Sequence, residues 1–479
     1  MNNSKIFSNF IWRFAERCGA QGVKLLVELV LARILLPEDY GLIALVTVFI
    51  QILNVFVDSG LGNALIQKKD ADDLDFSSVF YFNIVWCLFL YVFLFLAAPH
   101  FAAFYGKPEL SPVLRALGLQ IIISGVKNVQ QAYVSRTMQF KRFFFATLGG
   151  TLGAAVIGII MAYKGFGVWS LVAQQLFNVL VDTVILWLTV KWRPKKMFSF
   201  IRLKILFSYG WKILVSSLID TIYSEIRQLV IGKMYSASDL AYYNRGRQFP
   251  NLIVTNINTS IDSVLLPSMS KVQDDREHIR SMTRRAIKTS TYIMAPLMVG
   301  LAFTAELMIK LVLTDKWLPA VPFLRIFCVT FMFYPIHTAN LNAIKAMGRS
   351  DLFLKLEIGK KIVGVIALLG TMWISIEAMA YSLLAVSIAS QIINSWPNRK
   401  LLNYRYIEQL KDILPGILLA VFMGCCIYPI KFISMSTGLL LLIEVVTGSI
   451  IYLVGSILFR LDSFQYLWDI IKPFLKRGK

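Results

Sequence analysis

The chain is poor in charge, and above all in acidic charge. Only 16% of its 479 residues are Asp, Glu, Lys or Arg, and Lys plus Arg outnumber Asp plus Glu by 49 to 28. A soluble protein of this length would not repeat apolar runs of about 20 residues from end to end, as this one does. Histidine is nearly absent, and the five cysteines are scattered. Cys18, Cys87 and Cys328 lie in apolar runs, Cys425 and Cys426 are adjacent, and there is no CxxC or Cys/His metal spacing. Neither a disulfide framework nor a metal site is expected. There is no Walker motif, no DxD-type cluster before a soluble domain and no Ser/His/Asp arrangement. No catalytic residue is therefore assigned, and the chain does not read as an enzyme. The start, MNNSKIFSNF, leads straight into an apolar run without a small-residue cleavage site and does not read as a removable signal peptide.

What is present is apolar length: 57% of the residues are hydrophobic. The expected fold is an all-α polytopic membrane protein with about 14 transmembrane helices. Apolar runs between polar breaks fall at about 10–36, 41–66, 78–105, 113–134, 143–163, 166–190, 205–233, 241–267, 287–313, 323–347, 352–373, 377–398, 412–431 and 436–459. The net charge of +21 then belongs to loops, and nucleic acid is not an expected partner. One set of connections holds most of the cations, from Lys68-Lys69 and Arg136 through Arg193, Arg284 and Arg399 to the tail. The other holds little beyond Lys107, Lys164, Lys316 and Lys431. The positive-inside rule places both termini in the cytoplasm. The segment LDSFQYLWDIIKPFLK reads as an amphipathic helix on the inner leaflet.

The halves repeat at an offset of 200 residues. Pro37-Glu38-Asp39-Tyr40-Gly41 faces Ala237-Ser238-Asp239-Leu240-Ala241, so Asp39 falls on Asp239 and Arg33 on Lys233. The acidic loop QKKDADD faces KVQDD. An even number of intervening spans gives both copies one orientation, hence parallel repeats, which commonly place a substrate site between them. The expected domains are a six-helix lobe over 1–198, a second over 199–400, and two further helices with a tail over 401–479.

The first span contains charge. Arg13, Arg17, Gln21, Lys24 and Glu28 are spaced by 4, 4, 3 and 4 residues and share one helical face. That stripe covers about 22 Å of depth. Facing lipid, each charge would cost about 2.5–3.5 kcal/mol at mid-bilayer, so the stripe must face protein or water. Two readings are open. In one, Lys24 pairs with Glu28 and the stripe only binds helices together. In the other, it walls a hydrated cavity. Polar faces recur on the second span (Thr47, Gln51, Asn54, Asp58), the seventh (Ser217, Asp220, Thr221, Ser224, Arg227, Gln228) and the eighth (Arg247, Asn251, Thr255, Asn258, Asp262). The candidate cavity residues are Arg13, Arg17, Gln21, Lys24, Glu28, Asn54, Asp58, Asp220, Arg227, Arg247 and Asn251. The fourth span adds Gln120, Lys127 and Gln131, and the sixth adds Gln174, Asn178 and Asp182. Glu28, Asp58, Asp182 and Asp220 are candidates for coupling to H+ or Na+; no other cofactor is expected. Arginine in the cavity suits phosphate oxygens. His337 is expected to be a hydrogen-bonded structural residue, Tyr242-Tyr243 interfacial anchors, and the glycines of GGTLGAAVIG a close helix contact.

Seven stretches, in order, resemble a known family. They are LARILLPEDYGLIAL (31–45), FVDSGLGNALIQ (56–67), GVWSLVAQQ (167–175), AYYNRGRQFPNL (241–252), LLPSMSKVQDD (265–275), KWLPAVPFLRIF (316–327) and KAMGRSDL (345–352). They resemble the Wzx-type polysaccharide transporters of the multidrug/oligosaccharidyl-lipid/polysaccharide exporter superfamily, nearest in pattern to the colanic-acid and teichuronic-acid exporters. The resemblance implies a flippase that moves undecaprenyl-diphosphate-linked oligosaccharide to the outer leaflet of the bacterial inner membrane by alternating access. Such a flippase serves O-antigen, capsule or exopolysaccharide synthesis, alongside glycosyltransferases and a polymerase. Arg33, Asp39, Asp58, Asn244 and Arg245 sit at its motif positions. Two other functions would need different features. A cation-coupled multidrug exporter of the same superfamily would want an acidic, aromatic cavity rather than a basic stripe. A polysaccharide polymerase or glycosyltransferase would want a large external loop.

Overall fold

A computed structural model describes residues 19, 21–58 and 60–477. The described residues are helical almost throughout and include no strand. Helix α1 covers 21–34. There follow α2 (Pro37–Asp58), α3 (Leu61–Gln67), α4 (Asp73–Tyr105), α5 (Leu110–Arg136), α6 (Phe140–Tyr163), α7 (Val168–Thr189), α8 (Phe200–Met234) and α9 (Ala237–Ser270). The second half holds α10 (Arg276–Phe303), α11 (Ala305–Val312), α12 (Val321–Met332), α13 (Tyr334–Ala346), α14 (Ser350–Thr371), α15 (Ile376–Leu401), α16 (Tyr406–Ile427), α17 (Thr437–Leu458) and α18 (Asp462–Arg477).

Among the described residues, 11 helical segments are long and apolar enough to cross a membrane, and the chain is a multi-pass membrane protein. Three of the 14 expected spans are not among them. The first begins outside the described residues. The eighth and eleventh are helices of 34 and 22 residues, α9 and α14, long enough to span but too polar to qualify by composition. The outward faces explain the apolar length. On α4, Val85, Leu88, Phe89, Val92, Phe93 and Leu96 are all exposed at helical spacing. In water that face would be a liability; against acyl chains it is solvated.

The chain forms two compact units, 1–241 and 242–479. In the first, α5 packs on α2, α4 and α7, α6 lies along α7, and α8 packs on α2, α3 and α4. The glycines of GGTLGAAVIG make the α6–α7 approach: a Cβ on Gly150 would lie 2.8 Å from Asn178 Oδ1, and one on Gly153 2.7 Å from Phe177. The second span is broken at Gly60, which has φ of +69° and caps α3. A side chain there would meet the Gly210 backbone oxygen at 2.2 Å, so the break and the α8 crossing both require glycine. In the second unit, α10 packs on α12, α13 and α16, α15 on α12, α13 and α14, and α16 on α17.

The repeat recurs as local chemistry in its two copies. Leu36 N donates to Asp39 Oδ2 at 3.1 Å ahead of α2, and Ser236 N donates to Asp239 Oδ2 at 3.1 Å ahead of α9. The two acidic loops are helix caps. Asp72 and Asp75 form a reciprocal capping box on α4, and Asp275 accepts from His278 N at 2.9 Å on α10. A buried apolar cluster next to each cap uses corresponding stretches: Leu61, Phe76, Val129 and Trp192 in one unit, Leu265, Ile279, Ile336 and Tyr404 in the other.

One expectation does not hold. Tyr243 is not an interfacial anchor. It is 1% exposed and packs edge-on to Phe323 and Phe327. Its neighbour Tyr242 stands edge-on to Trp317. An aromatic wall from α12 and the turn before it was available to bury the pair, and sequence pattern alone gives no view of that neighbour.

Candidate functional site

Arg13 and Arg17 lie outside the described residues. The rest of the first-span stripe is visible on α1. Lys24 Nζ stands 3.8 Å from Glu28 Oε1, with the Lys24 side chain 71% exposed and Glu28 22%. This is the internal pairing of the ladder reading, but it is loose, and it leaves most of the ammonium accessible. An exposed i,i+4 pair contributes only about 0.3–0.5 kcal/mol. Gln21 is exposed beside it.

The polar face of α2 leads to a built centre in the first unit. Thr47 satisfies its own hydroxyl on the Ile43 carbonyl at 2.7 Å. Asn54 Oδ1 is buried without a hydrogen-bond partner among the described residues. Asp58 Oδ1 accepts from Asn128 Nδ2 of α5 at 2.8 Å. The neighbouring residue, Lys127, places its ammonium 3.0 Å from Asp182 Oδ2 of α7, and both side chains are only 15% exposed. Lys127 also acts on Asp58 electrostatically. Two carboxylates therefore answer to one ammonium, which leaves this local cluster with a formal excess of one negative charge, at whose edge Asp58 is exposed. Asn83, on α4, is fully buried with neither amide atom partnered among the described residues, and Asn128 Oδ1 is likewise unpartnered. Orphaned amide atoms inside a membrane protein need water or an ion to be satisfied.

So the structure brings together Asp58 and Asp182 through Lys127 and Asn128. Lys127 was visible in sequence, but Asn128 was not singled out. The available signal was stoichiometric: a lone lysine in one span and a lone aspartate in another pair more cheaply than either stands alone.

On α8, Arg227 is buried, Asp220 is exposed, and the Gln228 amide donates to Glu225. In the second unit, α9 presents Arg247 half-buried and Asn251 exposed, and further along Asp262 Oδ1 accepts from Asn342 Nδ2 of α13 at 2.7 Å. This is the same carboxylate–amide couple that Asp58 and Asn128 make in the first unit.

Several motif residues make local packing and capping contacts. Asp39 is a helix cap and also abuts Gly167, whose added Cβ would lie 3.2 Å from Asp39 Oδ1. Arg245 is 5% exposed, bonds Gln248 and lies 5.2 Å from the Trp317 ring. His337 accepts or donates between Asn394 at 3.1 Å and Ser387 at 3.5 Å, within the polar core of the second unit. At the other end of the first unit, burial holds the Lys107 ammonium below its ordinary range, partly offset by Glu38 and Asp239.

Comparison with known proteins adds the family. Residues 30–322 match the family described as "Polysaccharide biosynthesis protein". The succinoglycan biosynthesis transport protein ExoT of Rhizobium meliloti (strain 1021) is 27% identical over 69% of this chain and 67% of its own. The teichuronic acid biosynthesis protein TuaB of Bacillus subtilis (strain 168) is 25% identical over 85% of each. The lipopolysaccharide biosynthesis protein WzxC of Escherichia coli (strain K12) is 22% identical over 71% of this chain and 69% of its own. Among solved structures, the lipid II flippase MurJ in an inward closed conformation superposes with a TM-score of 0.75 at 16% identity, covering 95% of this chain and 99% of that one. An inward-facing multidrug resistance MATE family transporter of the MOP superfamily gives 0.61 at 14%, covering 80% and 94%. At such identities the structural likeness shows the fold alone. The match over 30–322 shows the family: the chain belongs to the polysaccharide biosynthesis proteins, and the Wzx-type resemblance of its motifs agrees.

Proposed function

We propose that this member of the polysaccharide biosynthesis family is a flippase for oligosaccharide carried on undecaprenyl diphosphate. It moves the repeat unit from the cytoplasmic to the outer leaflet of the bacterial inner membrane by alternating access, with both termini cytoplasmic. The observation that carries this reading is the family match over 30–322, together with relatives named for succinoglycan, teichuronic acid and lipopolysaccharide synthesis. A basic stripe on the first span fits a diphosphate head better than a cationic drug. The cargo-facing residues are Arg13, Arg17, Gln21 and Lys24, joined by Asn54, Arg227, Arg247 and Asn251. The centre at Asp58, Lys127 and Asp182 is the candidate coupling element, because its unbalanced carboxylate can take up H+ or Na+. Glu28 and Asp220 remain secondary candidates. The glycosyltransferases and polymerase of the same pathway supply the substrate and consume the product.

The test is deletion and complementation in the native host. Loss of surface polysaccharide with accumulation of lipid-linked oligosaccharide on the inner leaflet is expected. Arg17→Ala and Lys24→Ala should fail to complement at wild-type protein levels. Full surface polysaccharide in the deletion strain would overturn the function, and full complementation by both variants would overturn the cargo assignment. Increased drug sensitivity with intact polysaccharide would instead favour the multidrug exporter.

A further inference from the structure

The second unit contains a cavity that the proposed transport does not use. It has a volume of about 660 Å³ and lies where α10, α16, α17 and the start of α18 meet. That is within the range of sites for small molecules, about 300–1,000 Å³. Its lining is amphiphilic. One wall is apolar, with Leu418 and Phe422 of α16 each 58% exposed and Phe459 72% exposed. The rim is charged, and most of that charge is already paired. Asp412 accepts from Arg284 Nε and Nη2 at 2.7 Å each and from the Tyr404 hydroxyl at 2.8 Å. Asp462 is held by Lys288 at 2.7 Å. Two rim cations remain: Lys411 and Arg460 make no ion pair among the described residues. Arg460 is held at the mouth by a left-handed backbone with φ of +47°.

We propose that this cavity binds one anionic glycerophospholipid of the surrounding bilayer. Its phosphate is held by Lys411 and Arg460, and one acyl chain lies along Leu418 and Phe422. Two arguments select a lipid over a free anion or a protein segment. Lys411 sits near the start of the membrane-crossing segment of α16 and Arg460 just past the end of that of α17, so phosphate depth and cation depth coincide. The apolar wall is continuous with the exposed face of α16, which only an attached acyl chain would exploit. The lipid would bridge α16 to the α17–α18 turn and fix the docking of α18. This goes beyond the flippase reading and does not depend on it.

The experiment is native mass spectrometry of the full chain, purified in mild detergent and titrated with phosphatidylglycerol or phosphatidylcholine. Wild-type protein should retain one phosphatidylglycerol in preference to phosphatidylcholine. A cation near an anionic lipid contributes about fivefold, so Lys411→Gln with Arg460→Gln should lower retention about 30-fold. The charge-preserving pair Lys411→Arg with Arg460→Lys should retain it, and millimolar inorganic phosphate should not displace it. Equal retention by the glutamine pair, equal retention of phosphatidylcholine, or displacement by phosphate would each overturn the proposal. Independently of any variant, photoactivatable phosphatidylglycerol on the wild-type chain should label 411–422 or 459–463. Labelling confined to other segments would also overturn it.

Discussion

Replacing Lys127 by methionine isolates the ion pair at the centre of the first unit. The ammonium stands 3.0 Å from Asp182, and each side chain is 15% exposed. At an effective dielectric of 20 that separation corresponds to roughly 5 kcal/mol of gross attraction. The net worth of the pair is smaller, because both charges lost hydration when they were buried. Removing one partner is a different matter. It strands a carboxylate inside the membrane protein, and breaking such a pair typically costs about 3–5 kcal/mol. For a unit of 241 residues this is a fall in melting temperature on the order of 10 °C. Fluorescence-detected size exclusion after heating in detergent reads that shift directly. The double variant Lys127→Met with Asp182→Leu removes both charges and should recover most of the loss. Polysaccharide export then separates two roles. If Asp182 is only a structural partner, the double variant exports; if it is part of ion coupling, the double variant is stable and silent. A single variant that melts within 1 or 2 °C of wild type, on the scale used above, would refute the argument. So would a double variant no more stable than the single one.

Three further perturbations follow from the geometry. Asp58→Asn keeps an acceptor for the Asn128 amide, so stability should change by less than about 1 kcal/mol, while gradient-driven transport into proteoliposomes should be lost. Unchanged transport would remove Asp58 from coupling. Gly60→Ala forces a Cβ onto a backbone with φ of +69° and to within 2.2 Å of the Gly210 carbonyl oxygen. It should destabilise the first unit by more than the 1–2 kcal/mol of the left-handed conformation alone, read as the same melting shift. The docking of α18 has a pH dependence of fixed sign. Lys288 holds the Asp462 carboxyl below its ordinary value, so the pair stabilises docking above the ordinary carboxylate pKa and is lost as pH falls through the lower folded value. Protection factors over Asp462–Arg477, taken against the intrinsic rate at each pH, should stay constant from about pH 8 to 5 and fall only below about pH 4. Asp462→Asn should exchange faster at neutral pH.

The helices, their order and the duplication were legible because each has a local signature. Apolar length fixes a span whatever it packs against. The offset that placed Asp39 on Asp239 succeeded because both aspartates do the same local job, capping the next helix. The acidic loops aligned for the same reason. Partner choice is non-local, and there the sequence was silent. Nothing in Lys127-Asn128 says that one side chain turns to α7 and the next to α2, although adjacent residues on a helix diverge by about 100° and so must serve different neighbours. Tyr242-Tyr243 failed similarly: two aromatics at a helix start satisfy the rule for membrane interfaces, and only the presence of Phe323 and Phe327 buries one of them. The α9 and α14 helices show the converse. Their polarity obscures them from a hydropathy rule, yet length and break points still place them.

The duplication also shows where the two units part chemically. Asp58 with Asn128 and Asp262 with Asn342 are the same couple on corresponding helices. A couple kept in both copies is explained by helix packing alone, since a carboxylate accepting from an amide is a satisfied pair in either unit. The residue before the amide is lysine in the first unit and leucine, Leu341, in the second. Around Asn342's helix, Asn340, Asn398 and Gln409 form mutual hydrogen bonds, and the Lys360–Glu357 ion pair lies near enough for Lys360 to act on His337. Among the described residues, the first unit sets an ammonium and a second carboxylate beside the shared couple, as Lys127 and Asp182, whereas the second unit's Lys360–Glu357 pair acts on His337. A device that must bind and release a proton or a metal cation needs ionisable groups with unequal partners, as at Asp58, Lys127 and Asp182. The coupling proposed for Asp58, Lys127 and Asp182 would then be confined to the first unit. Asp262→Asn should accordingly leave ion-driven export intact under the assay in which Asp58→Asn abolishes it. Equal loss in both variants would return the couple to a purely structural role.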